Sequence, residues 1–274
     1  MPFTLIKGSF RPQAGQSDGD SVRFLAKDLT LWKKLEGRLV NLGTGALTKD
    51  TVQLRLEGID AIEKGATQPL SVDSKDNLLK LLGFHPQTNP EPGGYIVSRM
   101  TDDTSRRPIC FAFAGTVGTA DGSSVFVDAT MVSKSANVKQ MQDGFAYPLY
   151  YNTLFAELRT EFNKALRLAK QAGRGYWPKD RTLQGVTVAG TPSLKTIAPI
   201  WPKLWRRLET HLKSGAPMSD FIDFLAGENE RLDILSIMEE RGLQDIVKVQ
   251  GSKVRLTVAP EGIRVRSKAG MRTA

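Results

Sequence analysis

Apolar and polar residues alternate over residues 3–10, which predicts a strand with one buried face. A turn-rich loop over 11–19 follows, then a second strand over 20–26 with Val22 and Phe24 on one side. Residues 41–51 hold two glycines and read as a loop. Over 52–59 the alternation returns, with Val52, Leu54 and Leu56 inward and Gln53, Arg55 and Glu57 outward. Residues 69–82 predict a helix, with Pro69 suited to its start and Gly83 to its stop. The polar stretch 84–94 carries three prolines and two glycines and reads as a loop or insertion. Strands over 95–100 and 108–114 flank a hairpin-like connection, and 116–124 is another loop.

After Val125–Val127 the period lengthens. Residues 135–143 predict a short helix closed by Gly144. Leu154, Leu158, Phe162, Ala165 and Ala169 fall at spacings of 4, 4, 3 and 4, which predicts a helix over 154–172 stopped by Gly173. Five or so short strands, with helices between and after them, predict an α+β fold built on a small barrel.

Residues 182–200 are rich in Gly, Thr and Pro and read as a linker. Beyond them Trp201, Leu204, Trp205, Leu208 and Leu212 mark an amphipathic helix. Phe221, Ile222, Phe224 and Leu225 suggest a second helix, and Leu232, Leu235 and Met238 a third. Residues 246–266 alternate in three short strands, broken at Gly251 and at Pro260–Gly262. The expected organisation is a barrel domain over 1–181, a linker over 182–200, and a mainly helical accessory unit with a short β-meander over 201–274.

The 274 residues are 40% hydrophobic and 24% charged, an ordinary globular balance long enough to bury a core. No run approaches the roughly 18 apolar residues of a membrane span, and the N-terminus lacks a signal-peptide apolar stretch. The expectation is a soluble cytoplasmic protein without a membrane partner. One cysteine, Cys110, excludes an internal disulfide and a cysteine-based zinc site. It lies in an apolar strand and reads as a small buried hydrophobe. His85 and His211 are the only histidines, and both read as solvated. Any metal must then sit on carboxylate and carbonyl oxygens, which suits a hard cation. The net charge of +9 favours a polyanionic partner, nucleic acid first. Residues 185–274 carry 14 of the basic groups against 10 acidic ones. There Lys248, Lys253, Arg255, Arg264 and Arg266 alternate with apolar residues, a face that could track phosphates or simply be solvated.

Four acidic residues stand at expected strand ends: Asp18 and Asp20 before one strand, and Asp60 with Glu63 after another. Asp-Gly alone is a common turn. The combination says more, because Arg55 lies five residues before Asp60 and Arg107 opens the strand at 108–114. Carboxylates at two strand ends can hold one hard cation, and two arginines can clamp a tetrahedral anion beside it.

These segments resemble the staphylococcal nuclease (thermonuclease) family. The matching pieces, in order, are Asp18-Gly19-Asp20-Ser21-Val22, the run Arg55 to Asp60 to Glu63, and Arg107-Pro108-Ile109-Cys110-Phe111-Ala112-Phe113. Asn137 in the short helix, Gly144 and the long helix ending near Trp177 follow. The resemblance covers roughly residues 3–180. It implies an OB-like five-stranded barrel with flanking helices, and a calcium-dependent phosphodiesterase acting on DNA and RNA, single strands preferred. It further implies that Asp20, Asp60 and the Ala61 carbonyl hold Ca²⁺, with Asp18 supporting them from outside. Glu63 would orient or deprotonate the attacking water, and Arg55 and Arg107 would bind the phosphate. Ala61-Ile62 departs from the family's usual Thr-Pro. In the turn before the second arginine, counting back from the strand selects Arg107, and counting forward from Thr101-Asp102 selects Arg106. Tyr150 and Tyr151 are candidates for stacking on bases, or else seal the barrel against the long helix. Rival readings are a non-catalytic nucleic-acid-binding barrel and a scaffold for a protein partner held by residues 201–240.

Overall fold

The alternation at the start of the chain forms β1 (Phe3–Phe10), whose Leu5, Ile6 and Phe10 are buried. This is a computed structural model that describes residues 2–15 and 17–266. The chain continues through β2 (Arg23–Ala26), β3 (Val52–Gln53), β4 (Arg55–Leu56), β5 (Gly58–Asp60) and helix α1 (Leu70–Leu81). Then come β6 (Gly93–Thr101), β7 (Pro108–Ala114), β8 (Ser124–Val125), α2 (Ala129–Val132) and α3 (Ala136–Gln142). Strand β9 (Tyr147–Tyr151) and helix α4 (Ala156–Gln171) follow.

One mixed sheet has the order β3-β2-β1-β6-β7-β4, with β8 paired to β1. Strands β3 and β4 sit at opposite ends of that order yet belong to one run of chain, 52–56. Leu54 N–H donates to the Val22 carbonyl and Leu56 N–H to the Asp20 carbonyl, so the same run borders residues 20–24 on one side and β7 on the other. The sheet therefore nearly closes into a barrel, with Val52, Leu54 and Leu56 inside as their alternation requires. Helix α4 lays Leu158, Phe162, Ala165, Leu166 and Ala169 onto it. Buried Asn137 of α3 fastens helix to barrel: it accepts from Ala112 N–H and donates to the carbonyls of Glu57 and Cys110. Those backbone groups would otherwise be buried without partners.

The second half departs from the sequence reading. Residues 182–200 contain β10 (Val186–Thr187) and bury Val186, Val188, Leu194, Ile197 and Ile200. Helices α5 (Pro202–Lys213) and α6 (Phe221–Gly227) stand where apolar spacing put them. The third expected helix is instead a hairpin of β11 (Arg231–Ile234) and β12 (Glu239–Gly242). Leu232 and Ile234 both face the core at a period of two, while Met238 lies exposed in the turn at φ +55°. The spacing of Leu232, Leu235 and Met238 suits a helix, while Leu232 and Ile234 around Asp233 alternate as a strand, and so short a window does not decide between them. Helix α7 (Leu243–Ile246) and strands β13 (Val247–Gln250), β14 (Lys253–Leu256) and β15 (Ile263–Val265) complete the described chain.

The C-terminal part is not a separate body. A second sheet runs β12-β11-β15-β9-β5, joining strands from both halves. In it β15 pairs parallel with β9, and β9 pairs antiparallel with β5. One apolar core contains Ile62, Leu70, Tyr147, Leu149 and Tyr176 together with Trp201, Leu204, Leu208, Phe221 and Leu256. Trp201 donates its indole N–H to the Pro148 carbonyl, and Trp205 donates to Leu194. The composition of 182–200 suggested a flexible tether, but its apolar minority is what the fold uses. His211, expected to be solvated, is buried between Phe221 and Phe224 with Nε2 2.9 Å from the Pro217 carbonyl. Among the described residues no helix is long and apolar enough to cross a membrane.

Candidate active site

Gly58, at φ +82°, turns the chain out of the barrel sheet into β5 of the second sheet. A Cβ there would lie 2.8 Å from the Phe162 ring. This turn sets Asp60 at the end of β5, opposite Tyr147, and leaves it 3% exposed. The loop before β2 approaches from the other side. At Gly19 a Cβ would come within 1.9 Å of Ser74 Oγ and 2.6 Å of Ala61 Cβ, so the middle residue of Asp-Gly-Asp must be glycine for packing. Gln140 of α3 donates to both the Gly19 and Ser74 carbonyls. The two acidic segments are then joined directly, Ala61 N–H donating to Asp20 Oδ2 at 3.0 Å. Asp20 N–H in turn donates to Asp18 Oδ1 at 3.2 Å.

Asp18, Asp20, Asp60, Ala61 and Glu63 are thus neighbours. Burial, then the charges of Asp18 and Asp60, hold the Asp20 carboxyl well above the usual carboxylate range. Glu63 is also raised, first by burial, although Arg206 works against the shift. Arg206, from α5, had no place in the sequence reading. Its Nη1 and Nη2 each lie 2.9 Å from an Asp60 oxygen, and Nη1 is 2.6 Å from Glu63 Oε1. Burial opposes its charge, but Asp60 and Glu63 outweigh burial and hold it charged. No local signal marks it, because the pair is 146 residues apart.

The donor set consists of oxygens alone, and four carboxylates surround one bonded guanidinium. Burial raises Asp20 first, and the charges of Asp18 and Asp60 add to it. Oxygen-only donors are the kind a hard divalent cation takes, and Asp20, Asp60 and the Ala61 carbonyl are the groups that could hold one. Among the described residues no three His, Cys, Asp or Glu side chains stand in metal-holding geometry. Asp60 here is turned onto Arg206.

Arg55 lies beside this cluster. Its Nη1 bonds Asp102 at 2.9 Å and its Nη2 donates to the Tyr151 hydroxyl at 3.0 Å. Burial disfavours its charge, and Tyr151, Asp102, Asp20 and Asp60 more than restore it. Asp102 also accepts from the N–H groups of Thr104 and Ser105, so one carboxylate both shapes the turn and orients Arg55. An aspartate followed three residues later by serine is the signal that could have identified it. Strand β4 pairs parallel with β7, Arg55 opposite Ile109. Arg107 therefore lies two residues from the Arg55 register, its Nε donating to Ser105 Oγ at 3.0 Å. Arg106 occupies a left-handed turn position at φ +55°, with Nη1 3.4 Å from Asn41 Oδ1.

The two tyrosines part company. Tyr151 is half-buried, with Arg55 over its ring at 5.2 Å. Tyr150 is fully buried and donates to Asn163 of α4, so it seals the barrel and has no face to offer a base. The basic strand face of the tail is also partly used, since Arg264 and Arg266 both bond Asp233. Cys110 is fully buried, and burial pushes its thiol up, which leaves it inert.

Glu57 follows Arg55 by two residues, among Phe3, Arg99, Phe111 and Leu158. Burial raises its carboxyl from 4.5 to about 7, against the pull of Arg55 and Arg99. The folded chain holds this proton more tightly than the unfolded one. The resulting stability is complete below about pH 4.5 and is lost as pH rises through about 7. Glu57→Gln should remove that slope and raise stability at pH 8 by up to about 3 kcal/mol. Urea melts at pH 5 and pH 8 check this, and an unchanged difference between the two would contradict it.

Compared with known proteins, the chain matches no family model and no curated protein.

Proposed function

We propose that the protein is a calcium-dependent phosphodiesterase of the thermonuclease type, built on an OB-like barrel and cleaving DNA and RNA, single strands preferentially. The observation that carries this reading is the meeting of two distant acidic segments, through Ala61 N–H and Asp20, beside Arg55. A bound cation would offset the phosphodiester's charge and polarise a phosphoryl oxygen. The chain's own residues do the rest. Glu63 takes the proton of a water that attacks phosphorus, and burial, which raises its affinity for protons, makes it the stronger base. As the new P–O bond forms, the ester P–O bond breaks, and the departing oxygen takes a proton from solvent and leaves as the alcohol. Arg55 keeps N–H groups free beyond those on Asp102 and Tyr151, and with Arg107 it donates to the equatorial oxygens as they gain charge. A lysine could not supply that fork.

The test is incubation of a single-stranded oligonucleotide with the protein in Ca²⁺ and in excess EDTA. Cleavage in Ca²⁺ and none in EDTA is expected, with duplex DNA cut more slowly. Equal cleavage in both would refute the cation assignment, and activity with Mg²⁺ or Mn²⁺ alone would change its identity. One observation favours the rival reading of a non-catalytic nucleic-acid-binding barrel: Arg206 already neutralises Asp60 and Glu63. Binding of the oligonucleotide without cleavage in any of these cations would select it.

A further inference from the structure

Helix α5 belongs to the C-terminal part of the chain, yet Arg206 reaches the candidate site. The guanidinium meets Asp60 edge-on and uses both carboxylate oxygens, at 2.9 Å each. Its third bond takes Glu63 Oε1 at 2.6 Å. This planar fork is the geometry in which arginine holds a carboxylate most firmly. Its position is not accidental to a loose helix. Trp201, Leu204 and Leu208 are fully buried, and the next residue, Arg207, is tied to Glu228 and Glu230 at 2.9 and 2.8 Å. Among the described residues no ion pair reaches Asp18 or Asp20, so the far side of the cluster lacks a bonded cation. Arg206 itself remains 37% exposed along its side chain, which leaves it a way out toward solvent.

We propose that Arg206 is the resident counter-ion of this cluster and that a divalent cation reaches Asp60 only by displacing it, so that α5 sets the cation concentration at which the site loads. The proposal rests on reading Asp20, Asp60 and the Ala61 carbonyl as cation ligands. The competition is physical. Both cations need the same Asp60 oxygens, and a guanidinium and a divalent ion in contact with one buried carboxylate repel each other. Loading therefore requires breaking the Arg206 fork.

The test is calcium binding to the full chain by titration calorimetry, with circular dichroism melts to establish folding. The proteins are the wild type, Arg206→Gln, Arg206→Lys and Arg207→Gln. Arg206→Gln should bind Ca²⁺ about tenfold more tightly or better, since losing even one of the three charge-assisted hydrogen bonds is worth about that much. Arg206→Lys keeps the charge but loses the fork, and should fall between that variant and the wild type. Arg207→Gln removes the same charge from the same helix and should match the wild type. If Arg206→Gln does not fold, the lysine variant carries the comparison, since affinity equal to or weaker than the wild type would overturn the proposal. Equal calcium affinity in the wild type and Arg206→Gln would overturn it too, while leaving the metal reading in place. So would weaker binding in Arg206→Gln, which would make the arginine a support for the site. Calcium binding by none of the folded proteins would overturn both the proposal and the metal reading.

Discussion

Arg55→Lys is expected to lower phosphodiester cleavage by about 10²–10³-fold, the cost of losing one preorganised donor to developing charge. The change keeps a positive charge beside Asp102 and the cluster, so folding should be spared. What it removes is the ability to bond Asp102 and Tyr151 through two nitrogens while aiming further N–H groups at a phosphate. Single-turnover rates on a short oligonucleotide measure the loss, and the circular dichroism melt separates it from unfolding. Arg107→Ala should behave similarly. Arg106→Ala should be mild, because that side chain only reaches Asn41 at long range. A rate within about tenfold of the wild type for Arg55→Lys would remove Arg55 from the phosphate site. An essential Arg106 with a dispensable Arg107 would show that the turn is read off by one.

Deleting residues 181–274 should leave an insoluble or molten fragment, even though each candidate ligand and phosphate-binding residue precedes the cut. Sequence composition argues the opposite, since a Gly/Thr/Pro-rich stretch looks like a domain boundary. The deletion strips β15 from β9 and exposes an edge beside the strand that holds Asp60. It also removes the partners of Tyr147, Leu149 and Tyr176 from their shared core. Trp201 is the central member. Its indole N–H bonds Pro148, and its backbone N–H bonds Thr182 Oγ1, which donates to Asp180, the same carboxylate that Tyr147 bonds. Trp201→Ala in the full chain should cost about 3–5 kcal/mol by burial and cavity terms. Solubility, near-ultraviolet dichroism and dye binding test the fragment. A soluble fragment with a cooperative melt would establish two independent units.

The strands of the barrel and the helices α1, α3, α4, α5 and α6 are legible in the chain because each depends on its own period and its own stops. Gly83, Gly144 and Gly173 adopt positive φ just past the helices they close. The alternation at 52–56 likewise states which residues enter the barrel. The neighbourhood of Asp18, Asp20, Asp60 and Glu63 comes from outside such local rules, through the resemblance, and the fold brings those residues together. Short or mixed segments are less legible. Strand β9 lies in an aromatic run with a proline, and the hairpin of β11 and β12 fits a helical spacing equally well over so few residues.

By itself, then, the sequence determined the secondary structure of the longer periodic segments, the inward face of the barrel and an oxygen-only supply of candidate ligands. Only the packed fold decided that the apolar residues of 182–200 enter the core, that Tyr150 is sealed away and that Arg206 sits on Asp60 and Glu63. The physical reason is range. A period or a turn is set by neighbours a few residues away, whereas a pair separated by 146 residues forms only when two sheets and a helix have packed and burial has made each charge need the other.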